Sequence, residues 1–101
     1  MLWVGYYPGH QVMKIPKKFQ LGGTTWTVEY VTEEQEKEWG RCYFKESRIV
    51  LKNTLKGDAL EATFLHELVH AMYYHQGKNS HNEKDVDTLA HLLHQYLNQQ
   101  K

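Results

Sequence analysis

Residues 66–70 have the sequence His-Glu-Leu-Val-His, and their types and spacing suit metal-assisted hydrolysis. Side chains four residues apart lie one above the other on an α-helix, so His66 and His70 can each direct a ring nitrogen at one zinc ion. Glu67 lies beside them, where a carboxylate can take the proton of a water molecule that zinc has acidified. We therefore predict that His66 and His70 are metal ligands and that Glu67 is the catalytic general base.

A third protein ligand is needed, because a catalytic zinc has three protein ligands and one open position. Glu83 follows a polar stretch and begins the next predicted helix, so we predict it as the third ligand of one Zn²⁺ per chain. Asp87 lies one turn further along the same face and can accept a hydrogen bond from the far nitrogen of His66 or His70. The alternative left open is that Asp87 is itself the third ligand.

Other histidines and tyrosines compete for roles at this site. His75 and His81 bracket the loop between the predicted helices and could bind zinc in place of Glu83, although a loop histidine is more often only solvated. The two histidines of the second helix, which we interpret as structural, are His91 and His94. The candidates for stabilising an oxyanion, among which the sequence does not choose, are Tyr43, Tyr73, Tyr74, His75 and His81.

Two helices are predicted to position these residues. Over residues 59–76 apolar side chains recur every four positions, with Asp58 placed to cap the start and Gly77 to end the helix. Over residues 83–98 the apolar residues share one face, which can pack against the first helix. Apolar residues flank the motif on both sides and would bury Glu67 and its neighbours.

The first half of the chain has the alternation of β-strands. Residues 19–21 and 24–31 flank a Gly-Gly turn and predict a hairpin, and residues 42–44 and 48–51 flank a polar turn and predict a second pair of strands. The aromatic residues whose spacings suit the core are Trp26, Tyr30, Trp39 and Tyr96. The predicted fold is α+β, with a short three- to four-stranded sheet packed on an active-site helix and a C-terminal helix that carries the glutamate ligand.

Composition limits the classes of function. The length of 101 residues predicts one domain, residues 13–101, after an extension of residues 1–12 that either is incidental or covers the cleft, with His10 near the zinc. Twelve Lys and Arg balance twelve Asp and Glu, so no basic surface for nucleic acid is expected. A single cysteine, Cys42, excludes an internal disulfide and a cysteine-rich zinc finger. Without a signal peptide or a membrane span in the sequence, we expect a cytoplasmic protein with no membrane partner.

The motif of residues 66–70, followed by Asn82-Glu83 and Asp87, resembles the gluzincins, whose third ligand is the Glu of an N-E-x-x-x-D pattern. From Lys14 to Leu97 the chain is similar to the minimal gluzincin-like proteins of phages, prophages and some archaea. The resemblance implies a zincin N-terminal subdomain nearly alone. It also implies that the last strand, residues 48–51, forms the upper rim, where an extended substrate adds as a β-strand.

These observations predict a zinc-dependent metallopeptidase, a hydrolase that acts on a peptide or protein substrate. The alternative is a zinc-stabilised binding or regulatory module of zincin fold that is weakly active or inactive. Large gluzincins have a second subdomain that supplies oxyanion donors, and its absence favours the alternative. A small DNA-binding regulator would need a basic face, and the balanced charge of both helices argues against it.

Overall fold

A computed structural model describes residues 13–78 and 80–99, which form four strands followed by two helices. The elements are β1 (Lys18–Leu21), β2 (Thr24–Val31), β3 (Gly40–Tyr43), β4 (Arg48–Lys52), α1 (Gly57–His75) and α2 (Glu83–Asn98). The predicted α+β class is therefore confirmed. The predicted extension of residues 1–12, with His10, lies outside the described residues.

The hairpin of β1 and β2 forms as predicted. Gly22 has φ 59° and Gly23 has φ 76°, and two consecutive residues with positive φ make the tight turn that matches the twist of an antiparallel pair. The strands pair with Phe19 opposite Trp26, whose rings stack with centroids 6.4 Å apart. The sequence at this turn therefore determines the register of the first two strands.

The second hairpin places β4 in the centre of the sheet, in the order β1-β2-β4-β3. β4 is antiparallel to β3 and parallel to β2, so both of its edges are hydrogen-bonded. The expectation that residues 48–51 form the rim of the sheet is therefore wrong. The strand at that edge is β3, which begins at Gly40, two residues before the predicted start.

The sheet, α1 and α2 lie in that order, with α1 in the middle. Trp26 and Ile49 of the sheet and Leu65 and Val69 of α1 are almost completely buried against one another. On the other side, Val86 of α2 packs on α1 and is also fully buried. Because α1 is covered on two sides, the polar residues on it that carry chemistry are held in a rigid frame.

The ends of the helices differ partly from the prediction. Asp58 does not cap α1, because the helix begins at Gly57 and its N-cap, Lys56, makes no side-chain hydrogen bond. Asp58 lies instead in the first turn, where a carboxylate interacts favourably with the helix dipole. Gly77, with φ 84°, follows the end of α1 as predicted. Asn82 caps α2 by accepting hydrogen bonds from two backbone amides of the first turn.

Three of the four aromatic residues predicted for the core are on the surface. Trp26 is fully buried, whereas the exposed fractions of Tyr30, Trp39 and Tyr96 are 48%, 61% and 59%. Trp39 lies in the connection before β3. Among the described residues, neither helix combines the length and the apolar character that crossing a membrane requires.

Candidate metal centre

His66, His70 and Glu83 come together where the middle of α1 faces the start of α2. The Nε2 atom of His66 lies 3.2 Å from Oε1 of Glu83, and Nε2 of His70 lies 3.1 Å from Oε2. The potential ligand atoms of the three residues all lie within 4.8 Å of one another. This group can hold a metal ion, and it unites the two predicted histidines with the predicted glutamate.

The separations within the group fit a tetrahedral metal. Two ligands that bind zinc at 2.0–2.2 Å in tetrahedral geometry are about 3.3 Å apart, close to both nitrogen–oxygen distances seen here. The donors are two imidazoles and one carboxylate, a set that leaves the fourth position open. The exposed fraction of the Glu83 side chain is 70%, so the group is reachable from solvent on the side of α2.

Asp87 lies behind the group. Its Oδ1 atom is 3.5 Å from Nδ1 of His66, the ring nitrogen that faces away from Glu83, and 3.6 Å from Nε2 of His91. This position suits a residue that orients His66, as predicted. It does not suit the alternative in which Asp87 replaces Glu83 as the third ligand, because its carboxylate faces the other nitrogen of that histidine.

Glu67 lies on α1 next to the group and is 8% exposed. The pKa of its carboxyl group is raised to about 7, chiefly by burial and secondly by the negative charge of Glu83, while the positive charge of Arg41 acts in the opposite direction. A carboxyl group with a pKa near neutrality can exchange a proton with a reacting molecule. Burial and the charge of His66 also lower the pKa of His70, which favours the neutral ring that a metal binds.

A cleft runs past the group along the edge strand β3. The cavity at the group is lined by Glu67 and the three possible ligands on one side and by β3 on the other. It adjoins a cavity of about 530 Å³ beside Trp39 and one of about 470 Å³ beside Phe44 and Tyr74. The group therefore lies between two spaces that a bound molecule could occupy together.

The wall of this cleft is fixed by close packing and by ion pairs. A Cβ atom at Gly40 would lie 2.8 Å from the Thr63 side chain, so only glycine lets β3 approach α1 this closely. Arg41 donates two hydrogen bonds, of 2.7 and 3.0 Å, to the buried carboxylate of Glu36. These hydrogen bonds are the main reason why the pKa of Glu36 falls to about 2, so the pair holds the connection between β2 and β3 in place.

The other predicted candidates lie elsewhere. His75 accepts a hydrogen bond of 2.9 Å from the Trp26 indole and does not join the group. His94 donates to the buried carboxylate of Glu61 at 2.8 Å, which links α2 to α1. His91 contacts Asp87 and lines the cavity beside Trp39.

Sequence reasoning missed two features here. Asp58, Glu61 and His94 form a second group of possible ligand atoms. However, one oxygen of Glu61 bonds to His94 and the other accepts the backbone N–H of Met13 at 3.2 Å, so this carboxylate serves a structural contact. The second feature is that His81 bonds to His70 rather than joining the ligand group. Neither contact has a local sequence pattern, because each joins segments distant along the chain.

Tyr73 and Tyr74 extend from the last turns of α1 towards the loop. The Tyr73 ring contacts His81 edge-on, and the Tyr74 ring stacks on Phe44 with centroids 5.1 Å apart. Tyr43 lies under the guanidinium of Arg48, 4.4 Å from it. Among the predicted oxyanion donors, three line the cavity beside Phe44, namely Tyr43, Tyr74 and His81.

Comparison of the chain with protein-family models, with curated proteins and with solved structures finds no match. Any function for this site therefore rests on its own geometry and chemistry.

Proposed function

We propose that the chain is a zinc metallopeptidase with a zincin-like site. The observation that carries the proposal is the placement of both Glu83 oxygens against the Nε2 atoms of His66 and His70, with the buried carboxylate of Glu67 in the same cavity. Two imidazoles and one carboxylate on facing helices are a typical ligand set of a catalytic zinc. Asp87 behind His66 adds the carboxylate that commonly orients such a ligand.

Zinc bound at these residues would polarise the carbonyl group of the substrate and lower the pKa of a water molecule. Glu67 is the base that takes the proton of the attacking water, because its carboxylate is in the cavity and is not one of the three ligands. Once protonated, the same carboxyl group can return the proton to the leaving amine. The chemistry that fits these roles is hydrolysis of an amide bond.

A peptide substrate fits the shape of the cleft. Within the described residues, β3 pairs on one side only, with β4, so its other edge can pair with an extended chain. A peptide that lies along this edge passes the three possible ligands and reaches the cavities beside Trp39 and Phe44. Backbone pairing holds the substrate, and the two cavities receive side chains on either side of the cleaved bond.

The test is hydrolysis of a mixture of unstructured peptides by the zinc-loaded protein, followed by mass spectrometry. We expect cleavage by the wild type and none by Glu67→Gln, which keeps the ligands and the shape of the side chain but has no base. Loss of cleavage on zinc removal and its recovery on zinc addition are also expected. Zinc binding without cleavage of any peptide would refute the peptidase and favour the binding module.

A further inference from the structure

His81 and His70 are joined edge to edge through their rings. Their Nδ1 atoms are 2.6 Å apart, the ring centroids are 4.9 Å apart and the ring planes differ by only 22°. If the two rings were stacked face to face with their centroids 4.9 Å apart, their Nδ1 atoms would be farther apart than 2.6 Å. The contact is therefore a hydrogen bond in the plane of both rings, between the loop and the middle of the metal group.

The direction of this hydrogen bond follows from the next partner. Nε2 of His81 lies 3.0 Å from the backbone carbonyl oxygen of Lys78, which can only accept, so Nε2 of His81 carries a proton. In a neutral His81 the Nδ1 atom is then the acceptor, and His70 donates through its own Nδ1–H. The proton of a neutral His70 is thus on Nδ1, and its Nε2 has a free lone pair.

With this tautomer, the contact between His70 and Glu83 is not a hydrogen bond. The free lone pair of Nε2 faces Oε2 of Glu83 at 3.1 Å, so two acceptors meet without a proton between them. A cation between the two atoms removes this repulsion and binds both. The hydrogen bond to His81 therefore prepares His70 for a metal.

The packing around His81 holds its ring in this orientation. The rings of Phe44 and Tyr73 meet the His81 ring edge-on, with centroid distances of 5.5 and 5.4 Å. The ammonium of Lys78 lies 4.7 Å from the centre of the Tyr73 ring, which ties the loop to the end of α1. His81 is half-buried and fixed by several partners, unlike a solvated loop histidine.

We propose that His81 is a positioning residue of the metal centre, which accepts the Nδ1 proton of His70 and so keeps Nε2 of His70 free for the metal. The inference rests on the proposed function only in its choice of metal. Partners of this kind orient a ligand histidine and increase its basicity, and their loss typically weakens metal binding 10- to 100-fold. His81 acts only through His70 and is not itself a ligand in this arrangement.

Two variants distinguish the role of the hydrogen-bond acceptor of His81 from the role of its aromatic ring. His81→Asn places an amide oxygen near the position of Nδ1 and keeps an acceptor for His70, whereas His81→Phe keeps an aromatic ring between Phe44 and Tyr73 without an acceptor. Zinc affinity is measured by competition with a chromophoric chelator. We expect a loss of about 10- to 100-fold in His81→Phe and a loss of no more than a few-fold in His81→Asn. Thermal unfolding of the metal-free variants checks that both are folded.

The tautomer is measured separately, by long-range ¹H–¹⁵N correlation spectra of the imidazole rings in the metal-free protein. At a pH where both rings are neutral, we expect a protonated Nδ1 and a bare Nε2 for His70 in the wild type and a mixture of tautomers in His81→Phe. A protonated Nε2 on wild-type His70, or equal zinc affinities for His81→Phe and wild type, would overturn the proposal. Wild-type protein that binds no zinc would instead overturn the proposed function. The spectra would still show whether His70 donates its Nδ1 proton to His81.

Discussion

Replacing Glu67 by glutamine is expected to stabilise the metal-free protein, and to do so mainly at neutral and alkaline pH. The pKa of the Glu67 carboxyl group rises from 4.5 to about 7 on folding, chiefly because burial penalises the charged form. Since the folded-state pKa is the higher one, stability that is complete below pH 4.5 is lost as the pH rises through 7. Glutamine is neutral throughout and does not carry this cost.

The size of this stabilisation follows from the difference between the pKa values of Glu67 in the unfolded and folded states. The rise of this pKa from 4.5 to about 7 costs the wild type about 3 kcal/mol at pH 8. At pH 5 the cost is less than about 1 kcal/mol, because this pH is only slightly above 4.5 and the unfolded chain gains little by releasing the proton. Glu67→Gln should therefore exceed the wild type in unfolding free energy by these amounts at the two pH values.

Urea unfolding of the metal-free proteins at pH 5 and pH 8 measures the difference. Glu34→Gln is the matched control, since Glu34 is an exposed carboxylate on the connection before β3, and it should change stability by less than about 0.5 kcal/mol at either pH. A Glu67→Gln variant that is less stable than the wild type at pH 8 would refute the reasoning. An advantage of equal size at both pH values would also refute it, since the effect would then not come from ionisation.

Three further predictions concern ligands and core. Glu83→Ala removes both oxygens that face the histidines, so zinc affinity in a chelator competition should fall more than about 100-fold. This exceeds the usual loss for a residue that only orients a ligand. A smaller loss would assign the third ligand elsewhere. Asp87→Asn should weaken zinc binding about tenfold, the lower end of that range, because its contact with His66 is 3.5 Å long; no change would remove its orienting role. Leu65→Ala truncates a side chain that is 2% exposed and should lower the unfolding free energy by about 2–5 kcal/mol in urea titrations, and a change below 1 kcal/mol would contradict the packing described for α1.

The elements that sequence reasoning predicted well are those specified by neighbouring residues. The first hairpin follows from Gly22 and Gly23, whose positive φ values form the turn between two alternating segments. The start of α2 follows from Asn82, whose side chain caps the first turn. The contact of His66 and His70 with one partner follows from helical spacing, which is also local.

The parts that could not be predicted depend on segments distant in sequence. Nothing in residues 48–51 indicates that this strand enters the sheet beside β2 in parallel, because its pairing is decided by the competition of several strand edges. The role of His81 depends on its in-plane contact with His70, eleven residues away. Trp39 is of a residue type that is usually buried. Its exposure depends on the path of the connection between β2 and β3, which the ion pair of Glu36 and Arg41 holds in place.

The measurement that tests the central claim most directly is the zinc content per chain, determined by elemental analysis beside peptide hydrolysis on the same samples. For the wild type we predict one zinc and cleavage, for Glu67→Gln one zinc without cleavage, and for Glu83→Ala neither. Such a pattern would assign metal binding and proton transfer to different residues of one site. A folded wild-type protein that binds no zinc would contradict the account.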